Sequence, residues 1–369
     1  MQRICQRVRR RVIALLFNYS ANNINTAALP GAYAAVAGSP TVGSADGPQG
    51  INTIHCNGSS NAVFLPNIAI SVNGNGLIVG AGFNVTSFGA GSIGLMLIGS
   101  NVNTGGLAVC VSADGSMQVT VLYGSYTNYS SASGVFTFGN RHEVEIKIST
   151  FAGTNAVTVY LDGAAVAGLT AIDVANLLNL PDGSTIHSVL VGGSLGIVAG
   201  GSGATGTPVV VDSTYANDTT GSAPCNGPLG PCISIPMFTA GVGQESAWTP
   251  NGATPGWNCL HEVPPDGDTT YISDSNPGDE EACTLTAPFG ISGVYGVSVI
   301  SDQRQDTGGG GRTIELGVGN GTTRSYGSAW PLGTTYKMNT TPFSTNPLTS
   351  APWVLADLST LQVAAKLAS

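Results

Sequence analysis

The sequence predicts an all-β protein built as two β-sandwich domains in series. Three observations carry that expectation. Charged residues make up only 9% of the 369-residue chain, and glycine fills 52 positions; an average soluble chain is about 25% charged. Short apolar or alternating runs recur, punctuated by Gly, Asn and Ser, as strands and tight turns require. One stretch alternates strictly: Val144, Ile146 and Ile148 are interleaved with Glu143, Glu145 and Lys147. A period of two sends the aliphatic set to one face of a strand and the charges to the other.

The elements follow in order. Ala62–Leu65, Leu77–Phe83, Ile93–Ile98, Leu107–Ser112 and Met117–Tyr123 read as strands, with a hairpin turn at Ala113–Ser116 built on the Asp-Gly pair. The alternating stretch 143–148 leads into Val157, Val159 and Leu161, and Asp162-Gly163 reverses the chain. Two such strands need a facing sheet to bury their apolar stripes, which implies a sandwich. Ile172–Leu180 reads as a short helix or turn. Ser188–Val191 and Pro208–Val211 read as strands, the second closed by Asp212. Residues 216–228 carry Asn, Asp, Thr, Gly and Pro without a strand signal and mark the boundary. Beyond it, strands are expected at Gly293–Ser301 and Thr313–Val318, and Leu355–Leu367 reads as a terminal helix or a helical turn entering a last strand. The expected organisation is a basic extension (1–11), a first sandwich (12–215), a linker (216–232) and a second sandwich (233–369).

Composition excludes several function classes. Hydrophobic residues reach 42%, too many for a chain kept disordered by charge. Apolar runs such as Val12–Phe17 fall short of the roughly 18 residues that span a bilayer, so no membrane insertion is expected. Val12–Phe17 is also shorter than the apolar core of a secretory signal, and Arg11–Asn18 reads better as a first strand. Arg3, Arg7, Arg9, Arg10 and Arg11 supply five of the twelve basic residues, leaving seven against 21 acidic ones in the body. Phosphate contacts need clustered Lys or Arg, so no nucleic-acid binding is expected there; the basic head reads as a solvated extension.

The candidate chemistry is sparse. The four histidines are scattered and no C-x2-C pair occurs, so no zinc site is expected. Residues 192–207 lack the G-K-[ST] of a phosphate loop, and no G-x-S-x-G elbow appears. Residues 264–281 hold Asp266, Asp268, Asp274, Asp279, Glu280 and Glu281 without EF-hand spacing; they read as a solvated loop whose aspartates cap turns. No metal, catalytic or cofactor-binding residue is assigned and no cofactor is expected. Glycoside hydrolysis would need a carboxylate pair across a cleft. Glu143 and Glu145 have the spacing, but the alternation turns them toward solvent. Of seven cysteines, Cys225 and Cys232 bracket a turn-rich loop and form a candidate disulfide. Trp248, Trp257, Trp330 and Trp353 read as core or interface anchors, since one buried ring removes roughly 150–250 Å² from water.

Two stretches carry a resemblance. "HEVEIKISTFAGTNAVTVYLDGAAV" (142–166), with "IHSVLVGG" (186–193) and "PVVVDSTY" (208–215), resembles the laminin-G-like, concanavalin A-like jelly roll. The stretch 228–285, containing "GQESAWTPNGATPGWNCLHEVPPDGDTTYISDSNPGDEEACTL", resembles bacteriophage structural proteins, as do "ISGVYGVSVISDQRQD" (291–306), "GRTIELGVGNGTTRSYG" (311–327) and "NPLTSAPWVLADLSTLQ" (346–362). Those proteins pair a laminin-G-like sandwich with a C-terminal β domain. Family members usually have an aspartate where this chain has Pro231-Cys232, and a pair of aspartates where it has only Asp212 before Ser213. The resemblance implies a non-enzymatic structural component of a tailed-phage virion, as a tail, fibre, baseplate or neck protein. Its partners would be other virion proteins and copies of itself in a symmetric assembly. The alternatives are a host-surface glycan-binding adhesin module and a capsid decoration protein.

Overall fold

The computed structural model describes residues 2–4, 15–19, 35–37, 41–43, 53–57, 62–64, 70–71, 76–101, 105–123, 125–149, 156–174, 185–186, 188–192, 208–219, 226–261, 266–288, 290–306 and 311–369. The chain is all-β and divides into two compact units, one spanning Ala32–Ser234 and the other Ile235–Ser369 together with the strand Gln2–Ile4.

The first unit is an antiparallel sandwich of jelly-roll type. One sheet runs Ala164–Ala165, Ala156–Leu161, Arg141–Ile148, Leu77–Val85, Pro208–Asp218, Thr53–Asn57 and Thr41–Gly43. The other runs Ser125–Ser130, Met117–Tyr123, Gly105–Ser112, Ser92–Asn101, Ser188–Gly192, Ala62–Phe64 and Ala35–Ala37. The stripe of the alternating strand pairs in register with its neighbour: Val144 faces Ala81, Ile146 faces Val79 and Ile148 faces Leu77, all buried. The turn after Ser112 closes as the Asp-Gly pair dictates. Asp114 accepts bonds from the amide and hydroxyl of Ser116, and Gly115 takes a φ of 75°.

Two expectations change in this unit. The strand from Pro208 continues through Asp212 to Asp218. Ile172–Asp173 is a short strand pairing with Ala156–Leu161, where a helix or turn was expected; residues 175–180 lie outside the described ones. Cys225 also lies outside them, and with it the candidate disulfide to Cys232.

In the second unit a large sheet runs Thr239–Ser246, Glu280–Leu285, Gln362–Leu367, Thr313–Asn320 and Thr323–Tyr326, with Trp330–Pro331 pairing against Thr313–Asn320. A smaller sheet holds Gln2–Ile4, Val297–Gln303 and Lys337–Phe343. The basic head is therefore not wholly a solvated extension: Gln2 pairs with Ser301 and Ile4 with Val299. Unpaired backbone groups on a sheet edge accept a further strand whatever charges flank it. The core draws Val297, Val299 and Phe343 from the small sheet and Cys283, Leu316, Val318 and Val363 from the large one. Trp353 is buried in this core, while Trp248, Trp257 and Trp330 pack against it half-buried. Leu355–Ser359 forms a 3-10 turn, with Asp357 accepting from the Val354 amide, and leads into the final strand.

Candidate functional site

The outer face of the first unit's sheet carries a buried ionic cluster. Three strands build it in two rows. Glu143 and Asp212 flank Gly82; Glu145 and Tyr215 flank Gly80. A glycine in the middle strand leaves the flanking side chains free to meet across it. A Cβ on Gly80 would lie 2.2 Å from the Tyr215 ring, and one on Gly82 2.3 Å from the Arg141 guanidinium. Residues 212 and 215 would face opposite ways in a regular strand. A bulge places Ser213 and Thr214 together opposite Ala81, which turns both Asp212 and Tyr215 outward. Ser213 takes the left-handed φ of 49° that the bulge demands.

Arg141 ties the first row. Its Nε donates to Asp212 Oδ2 at 2.9 Å, and its Nη2 donates to Asp212 Oδ1 at 2.7 Å, Glu143 Oε2 at 2.8 Å and the Cys232 carbonyl at 3.1 Å. Glu145 anchors the second row. It accepts from the Tyr215 hydroxyl, from the Leu229 amide at 2.6 Å and from the Gly230 amide at 3.1 Å. Ser234 N donates to Ser213 Oγ at 3.1 Å. The segment Leu229–Ser234 is thus strapped over the carboxylates. Glu143 and Glu145 are both 0% exposed, which corrects the expectation that they face solvent. Alternation separates two faces but does not say what covers the second.

Two carboxyl groups, of Glu143 and Asp212, share one guanidinium here, with Glu145 close by. Burial pushes the Glu143 carboxyl well above its ordinary value of 4.5 against the pull of Arg141, with Asp212 and Glu145 repelling it further. Burial also raises Glu145, opposed by the bonds from Tyr215, Gly230 and Leu229. A carboxyl that holds its proton more tightly folded than unfolded contributes stability below its unfolded value, and loses it as pH climbs through the folded one. The first unit is therefore expected to melt at a higher temperature near pH 5 than at pH 8, and Glu143→Gln to flatten that slope. Asp114 acts oppositely, since the Ser116 bonds lower it; its contribution is lost only below about pH 4. Thermal melts across this range check the sign, and a melting temperature rising from pH 5 to pH 8 would contradict it.

The second unit carries an open cleft of about 310 Å³, within the range of small-molecule sites. Trp248, Tyr271, Ile272, Leu332 and Tyr336 give it apolar and aromatic walls; Asp302, Gln303, Arg304 and Gln305 supply polar groups. The strand Val297–Gln303 explains the change of character. Val297 and Val299 enter the core, and the same face continues as Ser301 and Gln303, which line the cleft. Gln303 is 7% exposed, and among the described residues its amide oxygen and nitrogen have no hydrogen-bond partner; nor has the buried Gln305 Oε1. Arg304 donates to Asp268 at 2.7 Å and Asp306 at 2.9 Å, and lies 5.2 Å from the Tyr336 ring centre. Its bonds, with that of the Tyr336 hydroxyl, hold Asp268 below the usual carboxylate range.

The acidic stretch divides as local chemistry dictates. Asp266 caps its turn by accepting from the Thr270 amide at 3.0 Å, and Asp274 accepts from the Asn276 amide at 3.0 Å. Glu281 is buried and takes the Trp248 amide at 3.3 Å. Among the described residues no group of three or more His, Cys, Asp or Glu could hold a metal ion, and no helix is long and apolar enough to cross a membrane. Gln303 and Gln305 were missed in sequence. The available signal was the strand's apolar parity running on into a polar residue.

No protein-family model and no curated protein matches the chain. Among solved structures it is similar to an endo-1,3-beta-glucanase from Streptomyces sioyaensis over 57% of this chain and 98% of that one, at 13% identity and a TM-score of 0.38. It is similar to sheep galectin-11 over 41% of this chain and 98% of that one, at 15% identity and a TM-score of 0.27. A Trypanosoma rangeli sialidase matches 58% of this chain at 14% identity and a TM-score of 0.36; the matched part spans 34% of the sialidase. The likeness is one of β-sandwich architecture.

Proposed function

We propose that the protein is a non-enzymatic β-sandwich component of a tailed-phage particle that recognises a saccharide through the cleft of its second unit. The cleft carries the reading. Aromatic walls beside the polar side chains of Asp302, Arg304 and Gln305 fit a ligand that is apolar on its ring faces and rich in hydroxyls at its rim. Saccharide recognition, one of the alternatives the sequence offered, is assigned in this reading to the second unit. The ring of Tyr271, 36% exposed, is available for stacking.

Two further observations support the reading. Glu143 and Glu145, the pair with hydrolase spacing, are bonded to Arg141, Tyr215 and the strap, so neither carboxyl faces a substrate groove. The stretches that resemble phage structural proteins span most of the second unit, and a chain with 9% charged residues packs against partners with little charge to desolvate. Other virion proteins and further copies of the chain are the proposed partners, and the virion the proposed location.

The test is saturable binding of the full chain to an array of bacterial surface polysaccharides. Tyr271→Ala is expected to weaken binding about tenfold, equivalent to roughly 1.4 kcal/mol, without lowering the melting temperature. Absence of any saturable binding, or cleavage of a bound polysaccharide, would overturn the proposal.

A further inference from the structure

We infer that Asp268 is the positioning residue of the cleft and sets the acid limit of its binding: it stands behind the wall and holds Arg304 and Tyr336, the side chains that meet the ligand. The inference rests on the saccharide reading above and adds to it the regulation of that site. Arg304 and Tyr336 line the cleft, whereas Asp268 does not. The sheet brings the two lining residues together. Gln303 and Lys337 are the last pair of neighbouring strands, so Arg304 and Tyr336 leave the ladder side by side. Asp268 reaches them from a separate turn, which Asp266 closes by accepting from the Thr270 amide and hydroxyl, each at 3.0 Å.

Three donors converge on one oxygen of Asp268. Arg304 Nη2 lies at 2.7 Å, Arg304 Nε at 3.2 Å and the Tyr336 hydroxyl at 2.8 Å. One edge of the guanidinium is thus tied, while the Tyr336 ring sits 5.2 Å from its centre. The other edge is held loosely. Nη1 donates to Asp306, whose side chain is 91% exposed, and an ion pair that open to water contributes little. A sugar hydroxyl can replace it, and Arg304, 26% exposed, is within reach. A long side chain that must be frozen on binding weakens the complex; Asp268 freezes this one beforehand. Among the described residues, Arg304 and Tyr336 face the Asp268 carboxyl, with Asp306 on the same guanidinium and Asp266 in the same turn. The bonds from Arg304 and Tyr336 keep Asp268 ionised, so its grip is lost only as pH falls below about 4.

The experiment measures the full chain, Asp268→Asn, Arg304→Met and the double variant on the array of bacterial surface polysaccharides from pH 8 to pH 3. Asp268→Asn is expected to bind about fivefold more weakly than the parent at pH 7. That ratio should shrink toward one below about pH 3, where the parent carboxyl is itself protonated. In the Arg304→Met background the same change should cost less than about twofold, because it acts through Arg304. A structural role for Asp268 would not give a ratio that follows its protonation. Full affinity in Asp268→Asn, a ratio independent of pH, or losses that multiply in the double variant would each overturn this inference and leave saccharide recognition standing. Absence of saturable binding by the parent would overturn both.

Discussion

Replacing Arg141 by alanine is expected to destabilise the first unit by about 3–5 kcal/mol, the cost of leaving buried charges without their partner. The geometry places it at that end of the scale. Among the described residues Arg141 is the one cation bonded to both Glu143 and Asp212, which are 0% and 4% exposed. Its Nε and Nη2 grip Asp212 in a fork while Nη2 also holds the Cys232 carbonyl. Lysine presents one ammonium where this planar fork is needed, so Arg141→Lys should recover only part of the loss. Chemical denaturation measures the change, and hydrogen exchange at the Leu229 and Gly230 amides reports whether the strap loosens. If the alanine variant does not fold, adding Glu143→Gln and Asp212→Asn removes the stranded charges and should restore folding. A loss under about 1 kcal/mol would show the cluster to be solvated after all.

Trp353→Ala is expected to cost the second unit about 3–5 kcal/mol, as large-to-small changes in packed cores do. The ring is 4% exposed in a cluster with Phe343, Leu358 and Val363, and its Nε1 donates to the Phe343 carbonyl at 2.7 Å. Truncation leaves both a cavity and a buried carbonyl without its donor. Trp353→Phe keeps most of the volume but forfeits the bond, and should cost about 1–3 kcal/mol. Urea titrations of the full chain check the order. Equal losses from the two variants would mean that the hydrogen bond, rather than the packed volume, dominates.

What the sequence disclosed followed from periodicity. The stripe of Val144, Ile146 and Ile148 and the Asp-Gly turns are local patterns, and they placed the hairpin and the sandwich. The buried cluster is not local. Glu145 is covered by amides 84 and 85 residues further on, and such a closure leaves no periodic trace. Two hints were present: Gly80 and Gly82 with the same spacing as the glutamates, and an Arg-x-Glu-x-Glu run richer in charge than its surroundings. Asp212, expected to end its strand, instead opens a bulge, because a polar run after apolar residues looks alike in both cases. In the second unit the anchoring tryptophans were visible as residues. The cleft arises only when strands far apart in the chain meet.

The outermost strand of the large sheet, Thr239–Ser246, pairs with Glu280–Leu285 through two register shifts, and Gln362 caps its Gln244 amide at 3.0 Å. An edge that is kinked twice makes a poor template for strand addition. Addition of a strand from another chain is thereby disfavoured at that one margin of the second unit.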